Sequence, residues 1–456
     1  MPADLAASEA DRFLAKHPAI VGIDVLIPDL AGILRGKRLN RDSLAKFYSD
    51  GLLMPGALFA QDAAGYAVVE SGLVWSEGEA DRICRPVPGT LVPSPWADRP
   101  LAQAIATMID LDGSPFAGDP RVVLARALDP IKKMGLTPCV AIELEFYLVD
   151  RERDADGRPQ PPVSPVTGRR DRKIQVLTLS DLSDFEPFFA AVEAGAAAQG
   201  LPLEATISEA APAQFEVNLV YRPDALAAAD HGLMLKRLIK GVAESQGLEA
   251  TFMAKPYGDQ AGSGLHIHVS LLDGDGRNIF DDGTEGGSEA LRHAVGGVLA
   301  TMAETTAIYA PNANSYRRFQ DGTYAPTAPL WAYNNRTTAV RIPSGPSKAR
   351  RIEHRVAGAD ANISLTVAAV LGGVHLGLSR RIDPGPPIQG NGYEQAPATL
   401  PRTWLDALRQ FESSAFIADY FGERFRSLYA AVREGERRRF ETEITPVELD
   451  WYLRNV

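Results

Sequence analysis

The alternation of apolar and polar positions is sharpest in Cys139–Val149 of this 456-residue chain. Apolar residues occupy every second position from Val140 to Leu148, so they share one face of a predicted strand. Glu143 and Glu145 lie on the opposite face, with Cα atoms about 7 Å apart because a strand rises about 3.3 Å per residue. Neighbouring carboxylates on a buried sheet resist ionisation unless cations neutralise them. The pattern therefore predicts a candidate metal site, with a solvated sheet face as the alternative.

The hydrophobic pattern before residue 105 predicts a small N-terminal domain. A Pro/Gly turn at residues 28–32 joins two apolar stretches, which is typical of paired strands, and five prolines between residues 86 and 100 mark the end of the domain. The predicted elements are a helix at 1–17, strands at 20–27 and 32–39, a helix at 40–50 and a loop at 51–66. We assign this domain to residues 1–105.

Strands followed by groups of helices characterise residues 106–456, which predicts a larger α+β domain. Asp119-Pro120 is a helix start, with Asp as N-cap and Pro at the first helical position. Residues 151–171 are polar and rich in Pro, Gly and Arg, and predict an exposed excursion. The predicted strands are 102–111, 139–149, 203–209, 214–221, 249–254, 264–272, 336–342 and 350–356; the predicted helices are 120–134, 184–199, 223–246, 288–309, 362–381, 402–413 and 418–440.

Composition narrows the classes of partner. Lys and Arg number 47 against 58 Asp and Glu, for a net charge of −11, which argues against binding to nucleic acid or to an anionic membrane. Two cysteines, Cys84 and Cys139, make a disulfide scaffold unexpected. The chain has no run of 18 apolar residues and no signal-peptide core. We expect a cytoplasmic protein.

Further metal-type side chains lie on other predicted strands. Glu209 and Glu216 flank a strand break at Pro212, and a Gly-rich turn precedes a strand whose front face carries His266 and His268. Taken singly, such residues are more often core histidines or solvated ion pairs. As a set with Glu143 and Glu145, they suit Mg²⁺ or Mn²⁺, which favour oxygen ligands.

Arginines accompany these carboxylates. Arg351, Glu353 and Arg355 share one strand face, and loop or strand ends carry Arg318, Arg336 and Arg341. Arginine binds phosphate and carboxylate groups in bidentate geometry, and metals with arginines stabilise phosphoryl transfer. No GxxxxGK[ST] or GxGxxG signature is present, so a nucleotide site would be of another type. Arg336 and Arg341 are five residues apart, so they would point to opposite faces of a regular strand. A bulge or a strand end between them is needed to bring both to the same site.

Seven motifs, in order along the chain, resemble the glutamine synthetase superfamily, type I. They are Glu143-Leu144-Glu145-Phe146-Tyr147, Ala213-Gln214-Phe215-Glu216, Phe252-Met253-Ala254-Lys255-Pro256, Gly262-Ser263-Gly264-Leu265-His266-Ile267-His268, Asn314-Ser315-Tyr316-Arg317-Arg318, Asn335-Arg336 and Arg350-Arg351-Ile352-Glu353. The resemblance implies a β-grasp-like N-terminal domain and a catalytic domain with a curved antiparallel sheet. It also implies a homo-oligomer, a dodecamer of two hexameric rings with active sites between neighbouring subunits.

The resemblance also implies roles for individual residues, with ATP and two or three Mg²⁺ or Mn²⁺ ions per site. One metal would be held by Glu145, Glu209 and Glu216, and a second by Glu143, His266 and Glu353. Glutamate would be bound by Gly262, Arg318 and Arg355; phosphoryl transfer would involve Arg336 and Arg341; and ATP would contact Tyr221, His268, Ser270, Lys348 and Arg351.

Departures from the family pattern bear on the substrate. In true glutamine synthetases a glutamate that binds ammonium lies six residues after the motif arginine, whereas Tyr324 occupies that position here. A phenol with a pKa near 10 supplies no anion at pH 7. We therefore expect a larger amine that packs on Tyr324 and Trp331. Ala261, Ser208 and Ala398 replace the family's loop Asn, its His before the metal glutamate and its adenylylated Tyr.

Within the superfamily the pattern is most similar to the γ-glutamylpolyamine synthetases, including the γ-glutamylputrescine synthetases. It implies an ATP-dependent ligase that joins the γ-carboxylate of L-glutamate to a primary amine such as putrescine or spermidine, through γ-glutamyl phosphate, in polyamine catabolism. Asp62 of a neighbouring subunit is the candidate general base, with a solvated loop carboxylate as the alternative. Other functions left open are a ligase for a monoamine (ethanolamine or isopropylamine), an ammonia-using glutamine synthetase, a guanidino kinase and a non-catalytic relative.

Overall fold

Two β-sheets organise the computed structural model, which describes residues 3–76, 78–170 and 172–456. The first sheet has six strands in the order β2-β1-β6-β4-β3, with β5 paired to β6 and with β1 and β6 parallel. Its elements are α1 (Ala3–Lys16), β1 (Gly22–Pro28), β2 (Leu34–Asn40), α2 (Leu44–Asp50), β3 (Leu52–Pro55), β4 (Asp81–Pro86), β5 (Val92–Pro93) and β6 (Leu101–Ile109). Strand β6 spans residue 105, and the division into 1–105 and 106–456 stays a prediction.

The second sheet has eight strands in the order β12-β13-β14-β11-β7-β9-β8, with β10 paired to β7. All its pairs are antiparallel except β12 with β13. The strands are β7 (Thr137–Asp150), β8 (Leu203–Ser208), β9 (Gln214–Leu219), β10 (Leu248–Thr251), β11 (Leu265–Leu272), β12 (Trp331–Tyr333), β13 (Val340–Ile342) and β14 (Ile352–His354). Strand β7, which contains the Glu143/Glu145 pair, lies at the centre.

The remaining helices follow β6 in the chain, and several of them contact strands of the second sheet. They are α3 (Pro120–Lys133), α4 (Leu179–Asp184), α5 (Glu186–Gln199), α6 (Ala225–Ser245), α7 (Glu289–Ala300), α8 (Met302–Tyr309), α9 (Ile363–Arg380), α10 (Gly392–Gln395), α11 (Trp404–Ser413), α12 (Ala415–Phe421), α13 (Glu423–Glu441) and α14 (Pro446–Tyr452). Helix α9 is long and apolar enough to cross a membrane, but 72% of it is buried, as in a core helix. The α+β fold class is confirmed.

The apolar back of β7 forms the core, as its alternating pattern predicts. Ile142, Leu144 and Phe146 are at most 1% exposed, whereas Glu143 and Glu145 are half-buried on the front. The ring of Phe146 packs against Phe188, Phe215 and Phe252, with ring centroids 5.6–6.2 Å apart. This packing fixes the register of the sheet, because a slip by one residue would exchange the two faces.

Several predicted elements are wrong in extent. The helix predicted at 418–440 is divided into α12 and α13 at Gly422, whose φ of +95° is not helical. The helix predicted at 288–309 is interrupted at Thr301, whose hydroxyl donates to the carbonyl oxygen of Gly297 at 3.0 Å and competes with the helical backbone. The strand predicted at 336–342 shortens to β13, because Asn335 Oδ1 accepts from Thr337 N at 3.0 Å and holds a turn. The loop predicted at 51–66 contains β3 and the 3-10 helix Gly56–Ala60.

Candidate active site

The register of β7 with its two neighbours brings carboxylates and histidines together. Glu145 is directly opposite Glu216 on β9, and Glu143 is directly opposite His266 on β11. Directly opposed residues of an antiparallel pair have Cβ atoms about 5 Å apart. Glu209 follows β8 and joins the group through the turn 209–214.

Strand β14 extends the same front face. Glu353 is opposite His268 on β11 and opposite Arg341 on β13. In the backbone register the two histidines of β11 are therefore opposite different carboxylates, His266 opposite Glu143 and His268 opposite Glu353. Arg336 lies in the turn before β13, so a strand end separates it from Arg341, which is one of the two solutions that parity required.

The side chains converge to distances suitable for a shared cation. His266 Nδ1 lies 3.2 Å from Glu143 Oε2 and 4.0 Å from Glu216 Oε2, and its Nε2 lies 3.9 Å from Glu145 Oε1. His268 Nε2 lies 2.7 Å from Glu143 Oε1. Arg351 Nε lies 3.1 Å from His268 Nδ1, and its N–H donates to that nitrogen when the imidazole is neutral.

Among the residues that the structure describes, three overlapping groups have potential ligand atoms within 4.8 Å of one another. They are Glu145/Glu209/Glu216, Glu143/Glu216/His266 and Glu143/His268/Glu353. The first is the trio predicted for one metal. The residues predicted for the second metal are divided between the other two groups, and His268, predicted as an ATP contact, lies at ligand distance from Glu143 and Glu353. An oxygen-rich donor set with one imidazole fits Mg²⁺ or Mn²⁺.

The first group carries unneutralised carboxylates. Burial, and next the charge of Glu145, raise the pKa of Glu209 to about 8. Burial, together with Glu143 and Glu145, raises the pKa of Glu216 well above its usual range. Carboxylates that hold protons at neutral pH for lack of a counter-charge are those that a divalent cation would ionise. The protein residues therefore fit a metal ion at this position.

Cationic side chains neutralise the other end of the cluster. Burial opposes ionisation of Glu353, but His268 and Arg355 outweigh it and lower its pKa to about 2. Arg341 contacts one oxygen of Glu353 at 2.7 Å, and Arg355 contacts the other. Burial is likewise outweighed at Glu143, where His268 and His266 hold the pKa well below its usual range.

Arg318 is held beside the first group by backbone acceptors. Its guanidinium donates to the carbonyl oxygens of Val356 at 2.7 Å and Arg355 at 3.3 Å. At Gly262 a Cβ would lie 2.7 Å from both Ala254 O and Arg318 Cγ, so the Gly-rich turn can approach the arginine only without a side chain. Three residues predicted to bind the substrate glutamate therefore lie in one region of the structure: Gly262, Arg318 and Arg355.

Gly264 is a site residue that the sequence reasoning missed. Its N–H donates to Glu145 Oε2 at 2.6 Å, and a Cβ there would lie 3.0 Å from both Arg318 and His266. The signal was present, because Gly262 and Gly264 belong to one motif and lie on the same side of an extended chain. Asn218 was also missed, although it lies opposite Glu143 on β9.

A cavity of about 870 Å³ opens from Glu143 along β7 and β11. It is lined by all five residues predicted to contact ATP: Tyr221, His268, Ser270, Lys348 and Arg351. Tyr221 is 68% exposed at the rim, where an aromatic face is available for stacking. The volume is within the range of small-molecule sites in proteins.

Tyr324 and Trp331 differ in their surroundings. Tyr324 lies in the loop 320–330 with φ +57°, unusual for a residue with a side chain, and it is 60% exposed. Trp331 is only 2% exposed, and its indole N–H donates to Gly385 O at 3.2 Å. The expectation that Trp331 packs against an amine is therefore wrong, because its ring belongs to the core.

Asp62 makes its contacts outside this cluster. Its Oδ1 accepts from Tyr66 N at 2.8 Å, and its Oδ2 lies 4.0 Å from Arg439 on α13. The side chain is 2% exposed within the single chain. These contacts stabilise the turn 62–66, and a role in a neighbouring subunit stays a prediction.

The sequence profile described as "Glutamine synthetase, catalytic domain" matches residues 117–452. A gamma-glutamylputrescine synthetase of Escherichia coli (strain K12) is 42% identical over 447 residues, 98% of this chain and 94% of the relative. A gamma-glutamylethanolamide synthetase of Streptomyces coelicolor is 34% identical over 94% of this chain and 90% of the relative. A glutamate–isopropylamine ligase of a Pseudomonas species is 32% identical over 97% and 96%.

Two solved structures of GmaS are also similar to this chain. The ADP complex of GmaS has a TM-score of 0.84 with this chain at 27% identity, covering 97% of this chain and 98% of that one. GmaS without ligand has a TM-score of 0.83 at the same identity.

Proposed function

Because this chain belongs to the glutamine synthetase family, and is therefore an ATP-dependent ligase that uses a divalent metal, we propose that it joins the γ-carboxylate of L-glutamate to a polyamine such as putrescine. The observation that carries the proposal is Tyr324. It occupies the loop position at which the family's ammonia-using members have a carboxylate, and a gamma-glutamylputrescine synthetase is 42% identical to this chain.

The metal ions and ATP supply a phosphoryl group and the charge that stabilises its transfer to the γ-carboxylate, which gives γ-glutamyl phosphate. The first group, Glu145, Glu209 and Glu216, would hold one ion, and Glu143, His266 and Glu353 a second. Glu143 lines the cavity of about 870 Å³ and also belongs to the carboxylate cluster, so the phosphoryl transfer would occur beside Glu143.

The arginines would bind and orient the reactants. Arg318 lies against Gly262 and donates to the backbone carbonyl oxygen of Arg355, and the two arginines would bind the carboxylate of glutamate in this corner. Arg341 lies on the same face as Glu353, and Arg336 is close enough to lower the pKa of Glu209 against burial. Both would stabilise the charge that develops on the transferred phosphate.

The amine must lose a proton before it attacks the acyl phosphate, and phosphate then leaves. We propose that the base is Asp62 of a neighbouring copy, within a dodecamer of two hexameric rings. In support, Asp62 is held in a rigid turn by its own backbone contacts, which would present it in a fixed orientation. The cytoplasmic location also stays a prediction.

The proposal is tested by measuring ADP release with ATP, Mg²⁺ and L-glutamate across putrescine, spermidine, ethanolamine, isopropylamine and ammonium. We expect a diamine or polyamine to give the highest kcat/KM. If ammonium exceeds every alkylamine, the substrate proposal is wrong, although the family assignment would stand.

A monoamine substrate is the second candidate. It is favoured by the ethanolamide and isopropylamine relatives, which match at 34% and 32% identity. The same panel separates the two, because a monoamine ligase would show no gain from a second amino group.

A further inference from the structure

A second cavity, of about 570 Å³, lies between the β1–β2 turn and helix α6. It shares no lining residue with the cavity that holds the predicted ATP contacts. We call it the α6 cavity. Trp96, Leu233 and Phe252 contribute to an apolar wall, and the cavity is also lined by the charged residues Arg38, Lys236, Arg237, Lys240, Glu244 and Asp360.

The two arginines of the α6 cavity share one carboxylate partner. Arg38 Nε lies 2.6 Å from Asp24 Oδ1, and Arg237 NH2 lies 2.6 Å from Asp24 Oδ2. One carboxylate thus serves both guanidinium groups and fixes the contact between β1 and α6.

The two lysines have no such partner. Lys236 and Lys240 are one helical turn apart on α6, and their Nζ atoms lie 5.0 Å and 5.8 Å from the centroid of the Phe252 ring. Lys236 donates to the carbonyl oxygen of Ala359 at 2.6 Å. Among the side chains that the structure describes, no carboxylate forms an ion pair with either ammonium group, and Asp360 and Glu244 act on them only at longer range.

The ammonium groups of Lys236 and Lys240 have no carboxylate in ion-pair contact among the described residues. Burial, and next the charge of Lys240, lower the pKa of Lys236 to about 7. Two ammonium groups that face one ring repel each other, and an anion between them would remove the repulsion. A buried Oδ1 atom of Asp360 also lacks a hydrogen-bond partner among the described residues.

We propose that the α6 cavity binds a small organic anion whose carboxylate lies between Lys236 and Lys240. Its hydrocarbon part would pack against Phe252 and Trp96. The volume is well above that of an inorganic ion, and the apolar residues near the ammonium groups favour a ligand with a carbon skeleton. Charge-assisted hydrogen bonds from two lysines would supply most of the specificity.

The cavity is connected to Arg318 by hydrogen bonds. Next to Ala359, Asp360 Oδ2 accepts from Ser315 Oγ at 2.7 Å and from Asn312 Nδ2 at 2.8 Å. Ser315 begins the 3-10 turn that leads into Arg318. An effect of the bound anion on glutamate binding at Arg318 would rest on the proposed function. Binding of the anion to the α6 cavity does not depend on that function.

The test is calorimetric titration of succinate into the native oligomer of three proteins: wild type, Lys240→Gln and Lys133→Gln. Lys133 is an exposed residue on α3 outside the cavity, so both variants lose one positive charge. We expect saturable binding to wild type, a Kd raised at least about tenfold in Lys240→Gln, and an unchanged Kd in Lys133→Gln.

Succinate could also occupy the arginines near Gly262, but both variants retain them, so only a difference between the variants reports on the α6 cavity. The absence of saturable binding, or equal constants for the two variants, would overturn the proposal. Far-ultraviolet circular dichroism establishes that each variant is folded. No substrate turnover is needed, so a failure of the proposed function would not affect the result.

Discussion

Glu209 shows how one residue reports on the metal site. Its raised pKa, about 8, results from burial and from neighbouring carboxylates, so the metal-free folded protein holds a proton that the unfolded chain loses near pH 4.5. Between these values the folded state binds more protons, and stability must fall as the pH rises. Glu143 and Glu353 have lowered pKa values and titrate below this window.

We therefore expect the melting temperature of the chelated protein to fall by about 1–3 °C between pH 6 and pH 8. Glu209→Gln should reduce this slope, because one of the two carboxylates with a raised pKa is then absent and the charge of Glu209 no longer raises the pKa of Glu216. Saturating Mn²⁺ should reverse the trend, since the metal binds the ionised carboxylate. Scanning calorimetry in both conditions checks this, and an equally steep slope in Glu209→Gln would contradict the assignment.

Replacing Tyr324 tests which amine the protein uses. Replacement by Ala removes the ring on the loop 320–330, and contact of an ammonium group with an aromatic face is worth about 0.5–2 kcal/mol. We expect the KM for putrescine to rise about 2–30-fold, with a smaller change in the KM for glutamate. Tyr324→Phe is the matched control, because it keeps the ring and should stay near wild type in steady-state assays.

The residue types and their strand parity could be predicted from the sequence, but their partners could not. The front-face positions of Glu143 and Glu145 followed from alternation within one strand. Which histidine faces which carboxylate depends on the pairing of β7 with β11, and registers between distant strands leave no local signal. For the same reason the proximity of His268 to Glu353 appears only in the structure.

At the scale of elements, residues 388–400 form a strap across the loops beside the site. Tyr393 Oη donates to Ala325 O at 3.0 Å, and Thr399 N donates to Thr327 O at 3.0 Å. At the other end, Asn335 Nδ2 donates to Gly390 O at 2.7 Å. The strap therefore holds both the Tyr324 loop and the turn that carries Arg336.

Tyr393→Phe should loosen the Tyr324 loop, because it removes one hydrogen bond worth about 0.5–1.5 kcal/mol. We expect kcat/KM for the amine to fall about 2–10-fold, with the KM for ATP unchanged. Tyr420→Phe is the control, since its hydroxyl contacts His375 on α9 at 2.6 Å. Equal effects of the two changes in initial-rate assays would show that the strap does not position the loop.

Helices and strands with a strong hydrophobic periodicity were predicted well, whereas elements that depend on tertiary contacts were not. The 21-residue helix α6 was predicted within two residues at its start and one at its end. In contrast, β12 has three residues and exists because it pairs with β13, so its own sequence gives no period to detect.

For the whole molecule, the resemblance to the glutamine synthetase superfamily is confirmed by the profile match and by relatives that span nearly the entire chain. The α+β class is confirmed by the two sheets. The roles assigned to single residues and the dodecamer stay predictions, because one chain shows neither a substrate nor a neighbouring subunit.

A shared active site can be tested by complementation. Asp62→Asn and Glu145→Gln should each be inactive alone if Asp62 acts in the neighbouring subunit. Mixed oligomers, reassembled from both variants, should recover activity, because some sites would combine an intact Asp62 with an intact Glu145. Recovery is measured by ADP release after dissociation and reassembly; no recovery from folded oligomers would place Asp62 outside the mechanism.

The most direct test is the number of manganese ions that the cluster on the sheet front binds. The account predicts about two Mn²⁺ per chain by equilibrium dialysis at pH 8, with at least one lost in Glu145→Gln. Asp230→Asn, which alters a buried carboxylate that pairs with Arg121 outside the cluster, should bind the wild-type number. Failure of the wild-type protein to bind Mn²⁺, or an unchanged count in Glu145→Gln, would contradict the assignment of these side chains as a metal centre.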